Sequence, residues 1–212
     1  LPEAPLPLPR LAPHLLDRAN KEKGHLRLRS SLQLGLQESV MAVAQRHQQV
    51  LQFSQIHNLA VLVADVRSGE VLAYVGNAPQ AGAEHGEQVD IITAPRSSGS
   101  ILKPFLYGLV LNDAIVLPNS LLPDVPMNIN GYRPENYQDG YDGLVPASEA
   151  LARSLNIPFV DLLRQYDFSR FHYQLKKMGM STLSQPPGHY GLSLILGGAE
   201  TNRRMAQWNF ER

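Results

Sequence analysis

Two apolar runs separated by a four-residue turn limit the folds open to this chain more than any other feature. Leu59–Val66 reads Leu-Ala-Val-Leu-Val-Ala-Asp-Val, Arg67-Ser68-Gly69-Glu70 supplies the turn, and Val71–Val75 returns as a second β-rich run. Both runs are apolar enough to be sheet interior, so a hairpin of this kind needs cover on both faces. Helices are available to cover it. Ser31 to Gln52 sets Leu36, Val40, Val43 and Val50 at helical spacing, with Gly35 weakening the first turn. Ile101 to Leu111 is apolar on most sides and predicts a central, buried helix. Ala147 to Arg153 predicts a short one. Pro158 is suited to open a helix reaching about Tyr166, and Gly179 to close one over Ser169 to Met178. The expectation is an α/β domain, its sheet begun by Leu59–Val66 and Val71–Val75, with helices on both faces.

The rest of the chain is punctuation. Prolines at 2, 5, 7, 9 and 13 predict an extended, polyproline-like linker, and Lys21 to Arg29 reads as a solvated basic stretch, so residues 1–30 are expected to be a connector. Asn77 to Gly86 is a loop, Ile91–Ile92 a short extended piece, and Asn112 to Gly143 a long loop of the kind that is usually functional or disordered. Composition excludes several function classes. The formal net charge is zero, which gives no footprint for nucleic acid. Cysteine is absent, so there is no disulfide framework, thiolate metal site or cysteine nucleophile. The seven histidines show no paired ligand spacing, and neither metal nor cofactor is expected. No run approaches the roughly 18–20 apolar residues that span a bilayer. Leu1, without an initiator methionine and followed by prolines, reads as the start of a piece cut from a longer protein.

The chemistry concentrates in three segments. In Ser100-Ile101-Leu102-Lys103 the hydroxyl and the amine sit at i and i+3, on one face of a helix. A serine hydroxyl needs a base to become a nucleophile. A lysine is that base only if apolar burial draws its pKa toward neutral, and Ile101, Leu102, Pro104 and Phe105 are placed to bury it. Gly99 permits a sharp entry, and Ser100 near a helix start has free backbone N–H groups for a developing oxyanion. The plain alternative is an N-cap serine with an exposed lysine, and chance alone supplies about one S-x-x-K in a chain this long. Ser154-Leu155-Asn156 lies where one helix ends and another begins. Its hydroxyl could relay a proton and its amide could bind a peptide group, or both could simply cap helices. Tyr132-Arg133-Pro134-Glu135-Asn136-Tyr137 suits a substrate-lining loop and equally an ordinary surface turn.

Taken together, Gly99-Ser100-Ile101-Leu102-Lys103-Pro104-Phe105, Tyr132-x-Pro134-x-Asn136, Glu149 to Pro158 and Leu192-Ser193-Leu194-Ile195-Leu196-Gly197-Gly198 resemble the transpeptidase domain of bifunctional class A penicillin-binding proteins. The first three of these segments, in order, are far more specific than any one of them. The resemblance covers roughly Leu28 to Glu200. It implies a β-lactamase/transpeptidase-like fold with a central antiparallel sheet flanked by helices. It implies Ser100 as nucleophile, Lys103 as general base, Ser154 as proton relay, and Asn156, Tyr132 and Asn136 as substrate-binding residues. The implied partners are peptidoglycan stem peptides and β-lactam antibiotics, at the outer, periplasmic face of the membrane. A membrane anchor would lie in a segment absent from this chain. A β-lactam sensor, a β-lactamase using Glu135 or Glu149, and a non-catalytic scaffold remain the alternatives.

The sequence departs from that pattern in two places. Leu155 stands where the family's Ser-Asp-Asn has its aspartate, and no Lys-Thr-Gly or Lys-Ser-Gly occurs anywhere. Residues 31–212 are therefore expected to be the N-terminal, helical part of a transpeptidase domain lacking its later strands. Such a piece is expected to have little transpeptidase activity alone and to expose sheet edges.

Overall fold

In the computed structural model, which describes residues 10–24 and 29–201, the two apolar runs form an antiparallel hairpin. Strand β1 (Val61–Ala64) faces β2 (Val71–Val75), with Val61 opposite Val75 and Val63 opposite Ala73. β2 spans the expected residues. β1 is shorter than the apolar run because Asp65 ends it: its carboxylate accepts the N–H groups of Arg67 (3.0 Å) and Ser68 (2.7 Å), and its carbonyl accepts that of Gly69 (2.8 Å). The turn needs Gly69, whose φ is +73°. Val66 falls inside that turn and is fully exposed. Cover is uneven, since β2 is buried almost throughout and β1 only partly.

Helix α1 (Pro13–Lys23) occupies part of the segment expected to be a bare connector. Pro13 is not the last residue of an extended run but the first residue of this helix, a position where its missing N–H costs nothing. The proline-rich residues before position 10 lie outside the described residues. Helix α2 (Leu34–Leu51) exists as expected, but its buried side chains are Gln37, Ala44 and Gln48, while Val50 is 67% exposed and Val43 also faces outward. For Gln37 the reason is the open edge of β2, while Gln48 Nε2 donates to His57 O (3.3 Å). Gln37 Oε1 accepts the Tyr74 N–H (2.7 Å), and Gln37 Nε2 donates to Tyr74 O (3.0 Å) and Leu11 O (2.6 Å). The Gln33 N–H donates to Leu72 O (2.9 Å) and Ser31 Oγ to Val71 O (2.7 Å). Residues 31–37 thus pair with β2 much as a third strand would, satisfying backbone groups that would otherwise be buried without partners. Ile91–Ile92, expected to be extended, begins a 3₁₀ turn (Ile91–Thr93) capped by Asp90 Oδ1.

These elements belong to one compact unit ending at Ala94; a second begins at Pro95. The second contains β3 (Arg96–Ser97), a 3₁₀ turn (Gly99–Leu102), α3 (Lys103–Asn112), β4 (Leu121–Asp124), β5 (Gly143–Pro146) and α4 (Ala147–Ala152). It continues through α5 (Asn156–Tyr166), α6 (Phe168–Lys177), α7 (Pro187–Tyr190), a second 3₁₀ turn (Gly191–Leu196) and β6 (Glu200–Thr201). β3 pairs with β6 and β4 with β5, both antiparallel. The mixed class is as expected, and the strands are arranged as three two-stranded ladders. The stretch 112–143 is not one structureless loop, because it contains β4. Four residues with Pro123 among them give no strand signal; proline is tolerated where its ring faces away from the partner. α5 is the hub. Phe159, Val160, Leu162 and Leu163 are wholly buried against Leu102, Leu106 and Val110 of the α3 segment, Phe171 and Leu175 of α6, and Leu194 and Ile195. α5 opens at Asn156, two residues before Pro158.

Candidate active site

Ser100 lies on a tight 3₁₀ turn rather than on an α-helix. Gly99 enters it at φ +51°, and the Lys103 N–H donates to Ser100 O. In 3₁₀ geometry positions i and i+3 eclipse, so the two side chains share a face more closely than α-helical spacing allows. The turn is held from behind. Ser97 Oγ donates to Gly197 O (2.8 Å) and accepts the Gly99 N–H (3.2 Å), and the Ser98 N–H donates to Ala199 O (2.8 Å). Gly197 has φ +105°, and a Cβ there would lie 2.9 Å from Gly99 N. This accounts for Gly197, since only glycine lets that backbone approach the turn so closely, while a Cβ on Gly198 would collide with Ser193.

Ser100 is exposed, whereas Lys103 is only 1% exposed. Its burial differs from the expected one. Ile101 (59% exposed) and Pro104 face outward, while Leu102 is buried in the core and the Phe159 ring centroid lies 5.8 Å from Lys103 Nζ. Three oxygens receive the amine: Ser154 O (2.7 Å), Asn156 Oδ1 (2.7 Å) and Ser154 Oγ (3.2 Å). Burial pulls the Lys103 pKa down to about 8.

Ser154 is placed by the end of α4. The Ser154 N–H donates to Leu151 O (2.9 Å) and the Leu155 N–H to Ala150 O (3.0 Å), the paired bonds of a Schellman motif. The residue at that position adopts left-handed backbone, usually glycine, yet here it is Ser154 at φ +56°. That backbone costs a non-glycine residue about 1–2 kcal/mol. Asn156 then opens α5, and its Nδ2 donates to Glu135 O (2.8 Å). Lys103, Ser154 and Asn156 therefore form one bonded cluster, and Ser100 stands one turn from Lys103.

The loop residues behave differently. Both ends of the Asn136 amide are used inside the protein: Oδ1 accepts the N–H groups of Asn156 (2.9 Å) and Ile157 (3.4 Å), and Nδ2 donates to Asp124 Oδ1 (2.8 Å) and Gly140 O (3.4 Å). Asn136 caps α5 rather than presenting a free amide. Tyr132 sits in a single β-bridge with Ile129, and none of the hydrogen bonds around Lys103 passes through its side chain. Partial burial raises its pKa. Asp124, which sequence reasoning missed, is 1% exposed and accepts from both Asn136 and the Asp142 N–H (3.0 Å). Its only sequence signal is an acid at the end of a short apolar run. Glu149 is occupied by Arg153 (3.1 Å), which also bridges to Asp142 (2.5 Å). Among the described residues no three histidines or carboxylates converge as metal ligands.

Comparison with known proteins identifies the family. Residues 59–204 match the penicillin binding protein transpeptidase domain. Penicillin-binding protein 1C of Escherichia coli strain K12 is 36% identical over 200 residues, 92% of this chain and 25% of that protein. Penicillin-binding protein 1F of Bacillus subtilis strain 168 is 34% identical over 110 residues, covering 51% of this chain and 15% of that one. The chain thus spans about a quarter or less of these relatives. In fold it resembles the transpeptidase domain of Burkholderia pseudomallei penicillin-binding protein 3, with a TM-score of 0.64, 17% identity and coverage of 82% of this chain and 54% of that one. A peptidoglycan glycosyltransferase from Burkholderia ambifaria gives a TM-score of 0.63 at 20% identity, over 82% of this chain and 57% of that one. The chain belongs to the penicillin-binding protein transpeptidase domain family.

Proposed function

We propose that this chain carries the acyl-transfer site of a D,D-transpeptidase, with Ser100 as nucleophile and Lys103 as its base. The observation that carries the reading is the buried amine of Lys103, shared between Ser154 and Asn156 one turn from an exposed serine. A charged amine has three N–H donors for its three oxygen partners. A neutral amine has two donors and a lone pair. Ser154 O and Asn156 Oδ1 can only accept, so they keep the two N–H groups. Ser154 Oγ needs no proton from the neutral amine, since its own O–H can turn toward the substrate, and this leaves the lone pair open to Ser100; once the amine is protonated its third N–H returns to Ser154 Oγ. The amine then accepts the Ser100 proton as Oγ attacks the carbonyl of the penultimate D-alanine of a stem peptide. Ser154 passes that proton to the departing D-alanine nitrogen as the C–N bond breaks. The second Nδ2 proton of Asn156 serves the substrate's peptide carbonyl. The amine of a second stem peptide attacks the acyl-serine, forms the cross-link and releases Ser100.

Such chemistry belongs at the outer face of the cytoplasmic membrane, where stem peptides are found, and the resemblance to class A proteins adds a glycan-polymerising activity elsewhere in the longer protein. The test is incubation with a fluorescent penicillin followed by intact mass measurement. Opening of the β-lactam ring adds the whole penicillin mass to one serine. The wild-type chain should gain that mass and Ser100→Ala should not; equal labelling of both rejects the assignment.

A further inference from the structure

We propose that Asp124 is a positioning residue: through Asn136 and the first turn of α5, it holds Asn156, and hence the Lys103 amine, in the reactive arrangement. The inference rests on the reading of Lys103 as base. Asp124 sits at the end of β4, buried, with one carboxylate oxygen on Asn136 Nδ2 and the other on the Asp142 N–H. A carboxylate only accepts, so it dictates which way the Asn136 amide faces. Nδ2 must point at Asp124, which leaves Oδ1 for the N–H groups of Asn156 and Ile157. Those are the first donors of α5, which have no partner within the helix. Capping them fixes the backbone of Asn156, whose side chain is held by Glu135 O on one side and Lys103 Nζ on the other. The chain from Asp124 to Lys103 is thus continuous, and each link has one possible donor direction. With the amide of Asn136 reversed, an NH₂ group would face the N–H groups of α5 and Asn156 would lose its seat.

The logic gives a polarity-swap test. Asp124→Asn leaves one acceptor where two donors meet, and Asn136 is no longer oriented. In the double variant Asp124→Asn with Asn136→Asp, the new amide at position 124 donates to the new carboxylate at position 136 and accepts from the Asp142 N–H. That carboxylate then still accepts the N–H groups of α5, at a helix start that favours negative charge. Lysine labelled with ¹³C at Cε reports the Lys103 titration by NMR with no turnover, so the result is readable even if Ser100 is never acylated. Asp124→Asn should move the Lys103 midpoint up toward that of an ordinary lysine, because water reaches the loosened amine, and the double variant should bring it back. Penicillin labelling at pH 7 should fall roughly 10–100-fold in the single variant, the range for groups supporting metal ligands, and recover in the double. If Asp124→Asn does not fold, Asn136→Leu, which removes the cap on α5 without adding charge, should give the same upward shift. A lowered melting temperature with the Lys103 titration unmoved overturns the inference, as does a folded double variant that fails to restore it.

Discussion

At the scale of single residues, the site places side chains where the fold alone would choose otherwise. Ser154 occupies a left-handed position that glycine fills without strain. Ser154→Gly relieves about 1–2 kcal/mol of that strain but takes an acceptor from the buried Lys103 amine, so the two terms offset and stability is expected to change by no more than about 1 kcal/mol. It should at the same time slow penicillin labelling, since the relay hydroxyl is gone. Urea denaturation beside labelling kinetics checks both; a variant that loses stability and keeps its labelling rate contradicts this role. Lys103 carries the corresponding electrostatic cost. Its folded pKa of about 8 lies below the ordinary lysine value of 10.5. The folded state therefore gives up its proton before the unfolded state does, and stability gains as pH rises from about 8 to about 10.5. Below pH 8 both states hold the proton and the full penalty for burying charge applies. Wild type should gain up to about 3 kcal/mol relative to Lys103→Met across that window. Denaturation at pH 7.5, 9 and 10.5 measures it, and parallel curves for the two proteins count against a buried, weakened base.

At the scale of elements, what was legible in the sequence depended on whether the signal was local. β2 and the helices α4 and α6 follow runs of apolar residues and nearby glycine or proline, and they stand within a residue or two of expectation. Lys103, Ser154 and Asn156 were legible as a group because they sit in two short segments, and hydrogen bonds join them, with Ser100 one turn from Lys103. The face of α2 was not, since a buried glutamine is invisible to a hydrophobic pattern: Gln37 is inside because Tyr74, far along the chain, offers an unpaired N–H and C=O. Asp124 was hidden for the same reason, and Asn136, singled out in the sequence as a substrate-binding residue, instead bonds Asp124 and the start of α5 from the loop between β4 and β5. Gln37→Leu conserves bulk and removes both bonds to β2. It should cost about 2–3 kcal/mol, the penalty for leaving buried backbone groups unpaired. A urea titration showing no loss would mean that the edge of β2 finds other partners.

At the scale of the whole molecule, the site resides in the unit that begins at Pro95, with α5 as its spine. Every polar group around Lys103 is delivered by an element whose apolar face packs against α5 or the turn before it, so core packing and site geometry are set together. Full cross-linking asks more of the protein than a single acylation does, because the acyl-enzyme must also be stabilised and then captured. The most direct measurement is therefore the first half-reaction: the rate and place of penicillin attachment between pH 6 and 10, read by peptide mass mapping. The account predicts a single adduct on the peptide containing Ser100, with a rate that climbs as pH passes about 8 and the Lys103 amine becomes neutral. An adduct on any other serine, or a rate at Ser100 that stays flat through that range, would contradict it.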